Sequence, residues 1–333
     1  MTTALRRITL VTSPDECNLA CDMCRERSPH APQRAGPPRR LDPALAVAAV
    51  DGAGPALREV IPSTAGEPLL WSGMDALLER CAARGALLNV TTNGTFPRLG
   101  AATWAERLAP AASDVKISWN GATAPTAERV MRGLSFDEAT AAVREFLAVR
   151  DRERRAGRRA CRVSFQVTAR EANAAELPAI VRLAASLGVE RVKVNQLQVH
   201  FAALAGEDLR RDGAARARWN AALRGMRAAA EEARLPTGAR VALEGAGELD
   251  EGGADAPRGP CPFLGREAWV LWDGRIAPCP APAAWAGALG DLGNAADAPL
   301  GSLFATASYR QLAGGYEALE ACRRCAFRRP GGG

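Results

Sequence analysis

Short runs of β-branched and aliphatic residues alternate with longer amphipathic stretches between residues 7 and 200. The strand-like runs are 7–11, 57–61, 87–91, 114–118, 162–167 and 191–194. The helix-like stretches between them are 43–50, 74–84, 101–108, 137–154 and 174–187. Strand–helix alternation at this spacing predicts βαβ units and a parallel sheet. Six such units give an α/β fold, a partial (β/α)6 barrel of the TIM type. Residues 207–240, rich in Ala and Arg, read as a connecting helix, and the Gly- and Asp-rich stretch 245–259 reads as a linker. Beyond it, 261–325 reads as a compact unit with strand-like pieces at 268–272 and 275–277 around the turn Asp273-Gly274. The expected division is a core over 1–206, a connecting helix and linker over 207–259, and a small C-terminal domain over 260–328. The closing Pro-Gly-Gly-Gly reads as a frayed tail, and the chain shows no internal repeat.

In parallel α/β folds the active site lies at the carboxyl ends of the strands. After the first predicted strand come Cys17, Cys21 and Cys24; after the second, Ala65-Gly66-Glu67-Pro68. Thr92-Asn93-Gly94 follows the third, and Ser118-Trp119-Asn120-Gly121 closes the fourth. The fifth ends near Gln166, Thr168 and Arg170, and the sixth at Asn195 and Gln196. Every one of these ends carries polar residues, glycine or cysteine, so one rim is expected to carry the chemistry.

Composition narrows that chemistry. The apolar share of 47% builds a core, yet no stretch approaches the roughly 20 apolar residues of a membrane span. The N-terminal apolar run ends at Pro14, Asp15 and Glu16, too soon for a secretory signal, so a cytoplasmic protein is expected. A net charge of +6 rests almost wholly on arginine, with Lys116 and Lys193 the only lysines. Such a bias fits genome composition better than nucleic-acid binding, and the run 150–159, interrupted by Asp151 and Glu153, reads as a solvated helix end. Nine cysteines in a reducing compartment do not read as a disulfide framework, and seven of them fall in two clusters. That distribution points to metal binding, and only two histidines, His30 and His200, rule out a His-rich site.

The first cluster is Cys17-Asn-Leu-Ala-Cys21-Asp-Met-Cys24. Iron–sulfur cubes take one thiolate per iron, so three thiolates leave one iron open to a ligand with an amine and a carboxylate. A structural zinc site would want a fourth ligand nearby; 25–40 supplies no cysteine, and His30 stands alone. This segment resembles the Cys-x3-Cys-x2-Cys signature of the radical S-adenosylmethionine superfamily. The resemblance implies a [4Fe–4S] cluster whose open iron chelates S-adenosylmethionine, and reductive cleavage to a 5′-deoxyadenosyl radical. It also implies that Gly66, Glu67 and Pro68 form the loop that bonds the methionine ammonium, with Ala65 replacing the family's first glycine. Asn93 and Ser118 match further cofactor-binding positions, as does Asn120, where the family usually has a carboxylate. Arg132-Gly133 followed by Phe136 matches the family's helix entry, and the resemblance spans residues 8 to about 200.

At the other end, Cys261 and Cys279 are followed by the pair Cys322 and Cys325. On spacing alone four cysteines fit either Zn(Cys)4 or a fully ligated [4Fe–4S] cluster. Their order, with Gly274 five residues before Cys279 and the segment Leu289-Gly290-Asp291-Leu292, resembles the Twitch domain, the shortened form of the SPASM domain. That resemblance implies an auxiliary cluster that accepts an electron from a substrate radical. Cys81 and Cys161 read as buried structural thiols.

The resemblance implies an enzyme that abstracts a substrate hydrogen, served by a flavodoxin- or ferredoxin-type electron donor. Only sixteen residues precede Cys17, which leaves no leader-binding domain ahead of the core. The expectation is therefore oxidation or another C–H modification of a small-molecule natural product; maturation of a ribosomally made peptide is the alternative. A non-enzymatic zinc protein is the alternative from another class. No general base or substrate-binding residue is assigned.

Overall fold

The computed structural model describes residues 5–62, 65–245, 247–249, 259–281, 287–323, 325 and 327–328. Most of the linker expected at 245–259 and the terminal Pro-Gly-Gly-Gly lie outside the described residues.

Six strand–helix repeats follow in order: β1 (Arg7–Leu10), α1 (Pro43–Gly52), β2 (Glu59–Ile61), α2 (Met74–Arg84), β3 (Leu87–Thr92), α3 (Gly100–Ala111), β4 (Ala112–Ser118), α4 (Ala124–Val130), α5 (Phe136–Arg155), β5 (Arg162–Ala169), α6 (Leu177–Leu187) and β6 (Arg191–Gln196). Helix α7 (Gly213–Glu232) and strand β7 (Ala242–Glu244) complete the series. The first seven strands pair in parallel and in sequence order. The parallel sheet of the expected six-strand partial barrel is present, and β7 extends it within the region expected to lead from connecting helix to linker. The C-terminal hairpin of β8 (Glu267–Val270) and β9 (Ile276–Ala277) turns at Asp273-Gly274, as expected. Its strand β8 pairs in parallel with β1, Arg7 opposite Glu267, so the C-terminal unit joins the main sheet directly. Three short helices follow: α8 (Leu300–Leu303), α9 (Ala307–Gly315) and α10 (Glu320–Arg323).

Local chemistry sets the helix ends. Asp42 caps α1, accepting from Ala44 N–H at 2.7 Å, and Ser135 Oγ accepts the N–H of Glu138 in α5. The strands then sort their two faces. Val60, Leu88, Val90, Val115, Ile117, Val163, Phe165, Val167, Val192 and Val194 are all fully buried, in one core with the apolar stripes of the helices. Most of the alternate positions are polar, and several of them bond to one another across the sheet.

That polar face carries a belt at the amino ends of the strands. Arg7 pairs with Glu59 at 2.7 Å and with Glu267 at 3.4 Å, and Thr9 donates to Glu267 at 2.8 Å. Asn89 and Ser113 both donate to Glu59. Asp114, fully buried, accepts from Ser164 at 2.8 Å and pairs with Arg162 and Arg191; Arg191 and Lys193 also pair with Glu244. The belt therefore closes one end of the sheet's polar face and leaves the carboxyl ends for the site.

One expectation on charge is corrected. Within 150–159, Arg150 is buried: it pairs with Asp151 and Glu190 and donates to the carbonyls of Cys161 and Gly188. It ties α5 to the strand and turn beneath it. Among the described residues no helix is long and apolar enough to cross a membrane.

Candidate functional site

The first cysteine loop leaves β1 and is held on two sides. The turn after α4 backs it: Ala20 N–H donates to Arg132 C=O at 2.9 Å and Asp22 N–H to Val130 C=O at 3.1 Å. Arg170, just past β5, pairs with Asp22 and with Glu207. Neither partner was singled out from sequence as a brace for the loop; the acid between Cys21 and Cys24 was the available signal. The thiols of Cys17 and Cys21 are both raised by burial, Cys21 to about 12; the Glu67 carboxylate and Cys24 add repulsion at Cys17, and Cys17 and Cys24 at Cys21. Partly buried thiols set close together ionise reluctantly until a cationic group compensates them, which is what an iron–sulfur cluster would supply.

Glu67 connects this loop to the next two strand ends. Its carboxylate accepts from Asn93 N–H at 2.7 Å, Thr92 Oγ1 at 2.8 Å and Leu69 N–H at 3.2 Å. Its own N–H donates to Glu16 C=O at 2.7 Å. Gly66 has φ +74°, and a Cβ there would lie 2.0 Å from Ser13 C=O, so only glycine fits this crossing. Asn93 completes the link, its side-chain amide donating to Cys17 Sγ at 3.6 Å and to Asn18 Oδ1 at 2.8 Å. Asn18 was not singled out from sequence, though its place beside Cys17 was the signal. Expected from sequence as the acceptor for a methionine ammonium, the Glu67 carboxylate, with 1% exposure and three donors in place, also braces the rim. Burial pushes its carboxyl up to about 7, against those hydrogen bonds.

The remaining predicted residues divide. Pro68 opens a short 3-10 turn, Pro68–Leu70, whose first N–H groups Glu67 caps. Ser118 ends β4 on the polar face, opposite Gln166 of β5. Asn120 is buried and works between strands: its Oδ1 accepts Thr168 N–H at 2.8 Å, and its carbonyl accepts from Asn173 at 3.1 Å. Expected from sequence among the cofactor-binding residues, it also pins β4 to β5. Glu176, unremarked in the sequence, accepts from the N–H groups of Ala122 and Thr123 and the hydroxyls of Thr123 and Thr126, fixing the loop beyond Asn120.

The four C-terminal cysteines do meet. Cys261, Cys279, Cys322 and Cys325 line one pocket together with apolar side chains such as Leu264 and Leu289. Arg328 closes it, donating to Gly259 C=O at 2.7 Å and Cys322 C=O at 3.2 Å. Burial raises the thiols of Cys279, to about 12, and Cys322, with the neighbouring thiols adding to it. Cys81 and Cys161 are each 1% exposed within the core, as expected of structural thiols.

Residues 11–152 match the sequence profile of the Radical SAM superfamily, and residues 261–326 match that of the SPASM iron–sulfur cluster-binding domain. No curated protein sequence matches the chain. Among solved structures it is similar to SuiB of Streptococcus suis bound to S-adenosylmethionine, with 17% identity, a TM-score of 0.65, and 97% of this chain and 72% of that one covered. SuiB bound to its precursor peptide SuiA gives a TM-score of 0.62 at 17% identity, over 97% of this chain and 70% of that one. The enzyme anSMEcpe with bound AdoMet and the Cp18Cys peptide gives 0.62 at 16% identity, covering 97% and 88%. The two domains imply a [4Fe–4S] cluster with S-adenosylmethionine and an auxiliary cluster. The chain is a member of the radical SAM superfamily carrying a C-terminal SPASM iron–sulfur domain.

Proposed function

We propose that this chain cleaves S-adenosylmethionine reductively and uses the resulting radical to modify a peptide. Cys17, Cys21 and Cys24 would hold three irons of the first cluster, and Cys261, Cys279, Cys322 and Cys325 all four irons of the second. When bound, the first group would supply a 5′-deoxyadenosyl radical and the second an electron acceptor. The chain's own residues position: Gly66 lets the loop cross Ser13 closely, Glu67 and Asn93 set the cysteine loop against β3, and Ser118 and Gln166 line the polar face below. The observation that carries the radical reading is the gathering of three half-buried thiols on this braced rim, with Asn93 touching both Cys17 and the strand that Glu67 fixes.

A peptide substrate is favoured over the small molecule expected from sequence by the shared fold: it spans 97% of this chain in SuiB with a precursor peptide and in anSMEcpe with a peptide. The direct test is anaerobic turnover of the reconstituted protein with a library of short synthetic peptides. The reading requires peptide-dependent 5′-deoxyadenosine formation with a mass change in the peptide. Turnover of aminocyclitols with no response to any peptide would restore the small-molecule reading.

A further inference from the structure

The polar belt accounts for its charges with one exception. Glu59, Asp114, Glu244 and Glu267 are paired with Arg7, Arg162, Arg191 and Lys193. Lys116 stands on the same face, in register with Thr91 of β3 and Ser164 of β5, and makes no hydrogen bond or ion pair among the described residues. Two residues further along β4 is Ser118, opposite Gln166, and Gln166 in turn lies opposite Lys193. The side-chain amide nitrogen of Gln166 is buried and has no acceptor. An ammonium and an amide donor therefore share one patch of the face, both without partners, and no carboxylate is committed to them. An unpaired buried donor such as the Gln166 amide is rare enough to call for a physical reason, and the half-buried Lys116 ammonium stands beside it.

The position supplies one. Strands rise about 3.3 Å per residue, so Lys116 lies about 7 Å deeper than the level of Ser118 and Asn93. Asn93 touches Cys17, which places the patch below the rim where the radical would form. We propose that Lys116 and the side-chain amide of Gln166 form a carboxylate-binding subsite on the polar face of the sheet, which anchors an acidic group of the substrate beneath the cysteine loop. This rests on the reading of that loop as the radical site, and it deepens it: the substrate is one with an acidic side chain or a free carboxyl terminus. A bound carboxylate would supply the acceptor that both donors lack, and a charge-assisted hydrogen bond of this kind is about twice as strong as a neutral one.

Burial, and next to it the charge of Lys193, lower the Lys116 ammonium to about 8, while Asp114 and Glu59 oppose this and Arg191 adds to it. The subsite is thus charged at neutral pH and weakens as pH rises through that value.

Because Lys116 and Lys193 are the only lysines, protein labelled with carbon-13 at lysine Cε gives two signals, and K116R identifies the first by its loss. Reconstituted protein would be titrated with pH alone and with each of four probes: N-acetylglutamate N-methylamide, the glutamine counterpart, glutarate and S-adenosylmethionine. The acidic probes should move the Lys116 midpoint upward, while the glutamine probe leaves it in place. A response to glutarate without one to the glutamate probe would keep the subsite and count against a peptide, which peptide-dependent 5′-deoxyadenosine formation tests separately. Movement by S-adenosylmethionine alone would assign the patch to the cofactor's carboxylate and overturn the proposal. So would a Lys116 midpoint indifferent to every probe, the behaviour of a lysine that simply reaches water.

Discussion

The backbone N–H of Asn93 donates to Glu67 Oε2 at 2.7 Å, so the end of β3 is locked to the loop after β2 by a carboxylate that solvent does not reach. Through the Asn93 side chain this lock extends to Cys17. An amide at position 67 must turn an NH2 toward one of the three donors it now receives. Glu67→Gln should therefore cost about 1–3 kcal/mol, the penalty of a buried unmet donor, and lower iron loading at the first site. Denaturant unfolding with iron analysis checks both; unchanged values would leave the brace without a role.

Gly66→Ala should be worse. The new Cβ would meet Ser13 C=O at 2.0 Å in a backbone with φ +74°, and the colliding atom is main chain that cannot swing aside. The expected result is a lowered Tm and loss of 5′-deoxyadenosine formation, measured by calorimetry and product analysis. A variant with wild-type Tm would mean the loop relaxes freely.

Much of this rim was legible in the sequence, because strand ends are marked locally by cysteine, glycine and asparagine. The helices α2 and α5 announce themselves through periodic apolar positions and, in α5, through Ser135 as cap. What escaped is non-local. Strand β7 is three residues long and gains its identity only from pairing with Arg191–Lys193. Helix α4, with Pro125 in its first turn and seven residues in all, carries too short a pattern to read. The pairing of β8 with β1 joins residues 260 apart, and no local pattern encodes it. The burial of Arg150 depends on Glu190 and two carbonyls supplied by other elements.

Asp114 anchors the belt, and removing it strands Arg191 and Arg162 on a closed face. Asp114→Ala should cost about 3–5 kcal/mol, the typical effect of breaking a buried pair from one side. Urea unfolding measures this; a loss below about 1 kcal/mol would show that water reaches the belt and screens it.

Glu176 gives a pH signature. Burial raises its carboxyl, but hydrogen bonds from Thr126, Thr123 and the N–H groups of Ala122 and Thr123 outweigh this and hold it below the ordinary value. The folded form thus favours the ionised state, and the stabilisation is present above the unfolded value of 4.5 and lost as pH falls through the lowered one. Glu176→Gln should lower Tm at neutral pH and make little difference once the wild-type carboxyl is protonated. A deficit that persists unchanged into acid would assign the effect to shape rather than charge.

The central claim is tested most directly by anaerobic reconstitution of wild type, C17A/C21A/C24A and C322A/C325A, counting iron and assaying 5′-deoxyadenosine after adding S-adenosylmethionine and dithionite. With four irons per cluster, the account predicts about eight irons in wild type and about four in each variant. Cleavage should vanish in the first variant and persist, uncoupled from product, in the second. Cleavage surviving the loss of Cys17, Cys21 and Cys24, or zinc filling both sites of oxygen-free protein with no cleavage at all, would contradict it.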